Sequence, residues 1–341
     1  MCSQTPETTR MLQLISGFQV SRALFVASRL GLPDHIESGP RSMADLAKAS
    51  GTDADALLRL IRVLTSVGVF SLDSEQRVQN TALSRTLLSE ARHSLRGWAI
   101  GQLGDEHYAA WGALEDSVRS GGLAFQRVFG QSPWSYRSAN PERAAAFDAG
   151  MSSYLSAHHD ALLASFDFKQ FAHIADIGGG DGQLMAALLS ADDRLSGVLL
   201  EQPQVIEKAR ARFERAALTA RCELIAGSMF DAVPAGLQTY CLSRVIHDWD
   251  DEQALLILRC CHGAAAPGAS LLLIERLLPD PVQIDPQDQA VSVSDLNMLV
   301  MTGGRERTRD QYRALLDAAG WGLKEIRTTG TSLSVLQALR R

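Results

Sequence analysis

The residues best suited to chemistry in this chain form one short run and two distant acids. The run is Leu242-Ser-Arg-Val-Ile-His247-Asp248-Trp249-Asp-Asp-Glu252, and the acids are Glu275 and Glu306. An imidazole flanked by carboxylates is held in one tautomer and is stabilised when it takes a proton, which is what a general base requires. No further cluster of oxygen ligands is evident near His247, and a neutral imidazole suffices, so no metal is expected. The second group is the loop Asp176-Ile-Gly-Gly-Gly-Asp-Gly182, followed by Gln183. Glycines let a backbone turn sharply and let a ligand come close. A dinucleotide fingerprint needs its third glycine at position 183. The chain instead has Gly178, Gly180 and Gly182. That spacing provides less for a pyrophosphate and suits a ligand with a ribose and an amino-acid tail. Glu201, about 20 residues on, is an acid placed to accept both ribose hydroxyls.

The elements that must position these groups follow from the rhythm of the sequence. From Ile174 the chain alternates strand, turn and helix. Strands are expected at 173–177, 197–200, 221–226, 239–243 and 270–275, with a last hairpin near 322–328 and 332–338. Helices are expected at 183–190, 204–216, 250–265 and 308–319. This pattern predicts a parallel α/β sheet with helices on both faces. The glycine loop, Glu201, His247 and Glu275 would then share the carboxyl edge where such sheets bind ligands. Asp280 to Asp288, rich in Asp, Pro and Gln, reads as a surface loop.

The first ~100 residues read as helices. Ser42-Met-Ala-Asp45 reads as a capping box, and a helix follows from Asp53 to Val67. Short strands near 69–72 and 77–80 complete a helix, helix, hairpin outline like a winged helix. Residues 95–165 read as helical and include His107, Tyr108, Trp111, Trp134 and Tyr136. The division expected is 1–100, 101–165 as a helical connector, and 166–341.

Composition narrows the classes. The 341 residues carry a net charge of −6 without a long Lys/Arg run, which argues against nucleic-acid binding. The would-be recognition helix offers only Arg59 and Arg62 amid Leu and Ile, which suits a buried helix or dimer seam better than a DNA contact. The longest apolar stretches, Val198–Leu200 and Leu271–Ile274, are strand-sized, so no membrane span is expected. The N-terminus has neither a basic nor an apolar segment of a secretory signal. Five cysteines (Cys2, Cys222, Cys241, Cys260 and Cys261), without CxxC spacing, fit a reducing cytoplasmic setting. Cys241 and Cys260 are expected to be buried thiols.

Taken in order, the glycine loop, Glu201-Gln-Pro, Gly227-Ser-Met-Phe230, Ser243-Arg-Val-Ile-His-Asp-Trp249, Glu275 and Gly303-Gly-Arg-Glu-Arg-Thr308 carry a resemblance. They resemble the plant caffeate/hydroxyindole type of small-molecule O-methyltransferase and its bacterial antibiotic-pathway relatives, over nearly the whole chain. The resemblance implies a Rossmann-like class I methyltransferase sheet after an N-terminal helical winged-helix dimerisation domain, in a homodimer. It implies S-adenosylmethionine as methyl donor and S-adenosylhomocysteine as product. By position, His247 matches the general base and Glu275 and Glu306 its flanking acids. Asp176, Gly178, Gly180 and Glu201 match cofactor residues. Ser228, Met229, Phe230 and Trp249 match those around the adenine. Phe147, Met151, Asn297 and Met298 fall where the family lines its acceptor pocket. Three positions depart from the pattern: Glu201 and Ser228 stand where Asp is usual, and Ser243 stands where plant members carry Lys.

In such an enzyme His247 would take the proton of a phenol, whose pKa is near 10, an effect worth roughly 10²–10⁴ in rate. A ring nitrogen already has its lone pair and needs no base, so His247 favours O-methylation over N-methylation by proximity. The stretches Ser21–Gly39 and Glu106-His-Tyr-Ala-Ala-Trp111 are similar to phenazine methyltransferases, which suggests a planar hydroxyl such as a hydroxyphenazine. A homologue that binds the same cofactor without methylating is the other alternative. Gln183 argues against a nicotinamide dehydrogenase.

Overall fold

The computed structural model describes residues 5–341, apart from the side chains of Ala146 and Ala157. Cys2 lies outside the described residues. Two compact units are present. One comprises residues up to Tyr108 together with Ala145–Ala157, the other Ala109–Ala144 with His158–Arg341.

In the first unit, Thr5 caps a helix over Pro6–Arg29, whose first position is a proline that needs no N–H partner there. Ser42 caps Met43–Ser50, as expected. The reciprocal half of the capping box is absent, because the Asp45 carboxylate accepts the Ser42 hydroxyl at 2.6 Å. Asp53 caps Ala54–Ser66, which buries Leu57, Ile61 and Leu64 on one stripe. Strands β1 (Phe70–Leu72) and β2 (Val78–Asn80) pair antiparallel. Met11, Ile15 and Phe18, each more than half exposed, form a stripe along the first helix. An apolar stripe of that kind marks an interaction face.

The second unit is built on a seven-stranded sheet. Its strands are β3 (His173–Ile177), β4 (Ser196–Glu201), β5 (Cys222–Ala226), β6 (Thr239–Ser243), β7 (Ser270–Glu275), β8 (Trp321–Thr328) and β9 (Ser334–Arg340). Their order is β5-β4-β3-β6-β7-β9-β8. Strands β3 to β7 are parallel, and the central ones, β4, β6 and β7, are buried along nearly their whole length, as expected of a sheet covered on both faces. The expected final hairpin is present, and it makes this end of the sheet antiparallel. Strand β9 runs antiparallel to β7 and to β8, since a short turn can join β8 and β9 only as a hairpin. The order reverses at β3, with β4 on one side and β6 on the other, which opens the crevice where such sheets take ligands.

Two expectations need correction. The segment 280–288 is not all loop: Asp285 caps a helix over Pro286–Met301, so its last residues form the first helical turn. Cys260 is only half-buried, because the buried stripe of helix Asp251–Ala264 runs through Ala254, Ile257, Leu258 and Cys261.

Candidate active site

Strand β6 ends at Ser243, yet its ladder runs one bond further, from the N–H of Arg244 to the carbonyl of Ile274 at 2.9 Å. Arg244 then takes a left-handed conformation, with φ 58°. For an L-residue with a side chain this costs roughly 1–2 kcal/mol, so the surroundings must enforce it. They do so on both sides. The N–H groups of Val245 and Ile246 donate to Glu275 Oε1 at 3.1 and 2.8 Å. The Arg244 guanidinium reaches Glu306 Oε1 at 3.3 Å, with both side chains buried.

A single turn, Ile246–Asp248, follows. Its carbonyls are held from one segment. Arg307 donates to the carbonyls of Ile246 (3.0 Å) and Trp249 (2.9 Å), and the Arg305 N–H donates to that of His247 (2.8 Å). Asp251 pairs with Arg307 at 2.7 Å. Gly304 lies flat on this turn. A β-carbon there would sit 2.1 Å from the His247 carbonyl oxygen and 2.4 Å from the Asp248 carbonyl carbon.

The result is a buried imidazole between two carboxylates. His247, 2% exposed, places Nδ1 3.3 Å from Glu275 Oε2 and 3.4 Å from Glu306 Oε1. Its Nε2 lies 3.6 Å from Asp248 Oδ1. Glu306 Oε1 also accepts the Ser294 hydroxyl at 2.6 Å. Burial and the Arg244 cation push the imidazole pKa down, but Glu306, Glu275 and Asp248 together prevail and raise it. Burial raises the Glu275 carboxyl, with Glu306 adding to it. For Glu306, burial is outweighed by His247, Arg244 and Ser294, which hold its carboxyl well below the usual range. Ligand atoms of His247, Glu275 and Glu306 all lie within 4.8 Å of one another. The sequence shows no ligand spacing for this cluster because each residue comes from a different element.

The glycine loop faces the same crevice. Gly178, Gly180 and Gly182 have φ of 71°, 60° and 76°, so the observed spacing places a glycine at each left-handed position. A β-carbon at Gly179 would lie 2.4 Å from Asp176 Oδ2. Asp176 is buried, and neither of its oxygens has a hydrogen-bond partner among the described residues. Burial, then the charge of Glu201, pushes its carboxyl up to about 7. Glu201 Oε2 accepts the Gly180 N–H at 2.9 Å and Oε1 the Gln202 N–H at 2.6 Å. A β-carbon on Gly178 would approach Val245 to 3.0 Å and the Met229 sulfur to 3.8 Å. The loop, Met229 and the start of the histidine turn therefore converge.

Ser228 accepts the Phe230 N–H at 3.2 Å, which shapes the turn after β5. Phe230 meets Trp249 edge-on at 4.7 Å, and Trp134 stacks on Trp249 at 5.9 Å. Trp249 is thus one member of an aromatic wall, and Trp134, noted in the sequence only as an aromatic, is another. Ser243 is half-buried at the end of β6. Asn297 and Met298 are buried on helix Pro286–Met301. Asn297 lies on the face of Ser294, three residues earlier. Its Oδ1 accepts the Trp111 Nε1–H at 2.9 Å, a contact no sequence pattern signals. Phe147 and Met151 lie one turn apart on helix Pro141–Ser165, within the N-terminal unit.

A parallel sheet that closes with a reversed hairpin, and that brings a buried imidazole between two carboxylates to the mouth of a glycine loop, belongs to the class I methyltransferases. More narrowly, the chain belongs to the O-methyltransferase family: residues 111–322 match its O-methyltransferase domain and residues 12–90 its dimerisation domain. It is 34% identical to the phenazine O-methyltransferase PhzM of Lysobacter antibioticus, over 98% of this chain and 96% of that one. It is 36% identical to the mitomycin biosynthesis 6-O-methyltransferase of Streptomyces lavendulae, over 90% and 87%. It is also 35% identical to the aclacinomycin 10-hydroxylase RdmB of Streptomyces purpurascens, over 94% and 86%. Among solved structures, LaPhzM superposes with a TM-score of 0.92 at 33% identity, covering 99% of this chain and 100% of that one. The O-methyltransferase NcsB1 from neocarzinostatin biosynthesis, solved with S-adenosylmethionine and 2-hydroxy-5-methyl naphthoic acid, superposes with a TM-score of 0.80 at 33% identity, covering 94% and 96%. The protein is an S-adenosylmethionine-dependent O-methyltransferase with a dimerisation domain.

Proposed function

We propose that the protein methylates a hydroxyl of an aromatic, polycyclic secondary metabolite, with His247 as general base. The observation that carries this reading is the buried imidazole held between Glu275 and Glu306. When bound, S-adenosylmethionine supplies an electrophilic methyl group. Asp176 and Glu201 suit its polar end: the Asp176 carboxyl has no hydrogen-bond partner among the described residues, and a β-carbon at Gly180 would meet open space, so backbone there leaves room for a ligand. Met229, Phe230 and Trp249 suit its base, with Ser228 beside them.

Nδ1 of His247 faces the two glutamates, which leaves Nε2 to accept a phenolic proton. Glu306, held ionised, stabilises the imidazolium that forms. Burial keeps water from taking the same proton. A ring nitrogen needs no such base, and this favours a hydroxyl acceptor over N-methylation. The kinship with an enzyme named a hydroxylase keeps a non-methylating reaction as the second reading. No metal is needed. Glu275 already binds two N–H groups, and the Arg244 cation already faces Glu306, where it would repel a second cation.

The acceptor we favour is a hydroxyphenazine, supported by the likeness to a phenazine O-methyltransferase over nearly the whole chain. Asn297 and Met298 would line its site. We read the working form as a cytoplasmic homodimer that binds neither nucleic acid nor membrane. The dimerisation domain match and the exposed stripe on the first helix support the dimer. Among the described residues no helix is long and apolar enough to cross a membrane.

The test is incubation with S-adenosylmethionine and a panel of hydroxyphenazines, anthracyclines and simple catechols. Methyl transfer to hydroxyphenazines is expected; transfer only to the other two classes overturns the acceptor. His247→Ala is expected to lose rate with cofactor affinity intact. An unchanged rate overturns the base.

A further inference from the structure

We propose that Arg244 is a positioning residue for methyl transfer, fixing Glu306 beside His247 and setting the charge state of that base. The proposal rests on the reading of His247 as the base. Two independent features single out Arg244. Its backbone is left-handed, in a place where no glycine or asparagine stands. Strained residues of this kind persist only where their surroundings over-determine them, and they cluster at functional sites. Its side chain is buried against a buried carboxylate, Glu306, whose same oxygen lies 3.4 Å from His247 Nδ1. One oxygen atom thus serves two cations.

The charges around the imidazole can be counted from every side. Glu275 approaches from β7 and Glu306 from the segment before helix Arg309–Ala318. Asp248 lies on the same turn. The Cys241 thiol of β6 and the Tyr312 phenol also feel Glu275, but burial keeps both neutral. Ser294 donates to Glu306, and Asp295 accepts the Glu306 N–H. Arg137 acts on Asp248. The carboxylates outnumber the cations that face the ring directly. Without Arg244, a protonated His247 would be the main counter-charge for two buried glutamates and would hold its proton tightly. With Arg244 in place the acids are partly neutralised, and the imidazole releases its proton more readily. The left-handed turn at Arg244 aims its side chain at Glu306, while the backbone that follows runs on to Glu275. One residue therefore couples both acids to the base.

The test compares Arg244→Met, which removes the charge, with Arg244→Lys, which keeps it. Folding is checked by near-ultraviolet circular dichroism and by cofactor binding. For Arg244→Met the midpoint of the rising limb of kcat against pH is expected to move up by about one unit, with kcat at pH 7 about tenfold lower and acceptor KM within twofold. Arg244→Lys is expected to restore the midpoint. If Arg244→Met does not fold, the Arg244→Lys and Arg244→Gln pair gives the same comparison, as does the ¹⁵N chemical shift of His247 followed through pH. An unmoved midpoint in a folded, charge-free variant overturns the proposal. His247→Asn separates this failure from that of the base itself: loss of rate in His247→Asn with an unmoved midpoint in Arg244→Met refutes Arg244 alone.

Discussion

One oxygen of Glu275 accepts the N–H groups that lead into the histidine turn, and the other lies 3.3 Å from Nδ1 of His247. The same carboxylate therefore shapes the backbone that carries His247 and faces its ring. The two tasks separate by substitution. In Glu275→Gln the amide oxygen can still accept both N–H groups, so the melting temperature should change little. The charge is lost, and with it one of the forces that raise the imidazole pKa. A base must be neutral to act, so wild-type kcat should rise with pH through a midpoint above the ordinary histidine value. In Glu275→Gln that midpoint should move down while the plateau falls about tenfold, part of the roughly 10²–10⁴ that a general base supplies. Glu275→Ala should also lower the melting temperature, because two buried donors lose their acceptor at about 1–3 kcal/mol each.

Asp176 offers a test in the opposite direction. Its folded pKa, pushed up to about 7, lies above its unfolded value, so the folded state holds a proton that the unfolded state has released. Stability of the unliganded protein should therefore fall as pH rises through the carboxylate range towards 7, by on the order of 4 kcal/mol if this group acts alone. Asp176→Asn should flatten that slope and stabilise the unliganded protein at pH 8. The same change should weaken S-adenosylmethionine binding, read by calorimetry. An unchanged slope in the variant refutes the assignment.

At Gly304 the constraint is close approach. A methyl group there would overlap the backbone at His247 and Asp248, which cannot yield without moving the base. Gly304→Ala should reduce kcat by two orders of magnitude or more, as a misplacement of about 1 Å can. S-adenosylmethionine affinity should fall much less than kcat, because the glycine loop is untouched and only the Trp249 backbone, 2.6 Å from that β-carbon, adjoins the cofactor's site. Equal losses in rate and cofactor binding would point to general unfolding instead.

Trp111 should matter for acceptor choice rather than for chemistry. An indole N–H can only donate, so it fixes the amide of Asn297 with Oδ1 towards Trp111 and the NH₂ group turned away. Trp111→Phe removes that donor. Acceptor KM should rise roughly two- to tenfold, the worth of one hydrogen bond, while cofactor affinity and the pH midpoint stay as in wild type.

The sequence made some of this legible and hid the rest for physical reasons. Strands β3, β6 and β7 were readable to the residue, because β6 and β7 are apolar runs with an abrupt polar end and β3 stops at the first glycine of its loop. His247 and Glu275 were readable because they sit at or just past the ends of β6 and β7, and Glu306 only through its motif. Helix Pro286–Met301 escaped notice because its buried face carries Ser294 and Asn297 among Val291, Met298 and Met301. The groups that serve the site interrupt the stripe that would announce the helix. Arg244 and Arg307 were equally hidden. Charged side chains usually signal surface, and only the folded chain shows one against Glu306 and the other gathering carbonyls. The closing hairpin was legible within two residues at each end; its antiparallel pairing with β7 was not, because nothing in a strand's own residues names its neighbour.

Helix Pro286–Met301 fastens Glu306 through Ser294 and, one turn on, presents Asn297 and Met298. On the proposed roles of these residues, selectivity and catalysis share a single beam. Replacing residues 297 and 298 singly should re-tune which acceptors are taken without disturbing proton transfer, whereas any change that rotates or shifts the helix disturbs both at once. Grafting a new acceptor range from a relative is thus best done by exchanging the whole helix together with Glu306 and its flanking glycines, so that the transplanted parts arrive already fitted to one another.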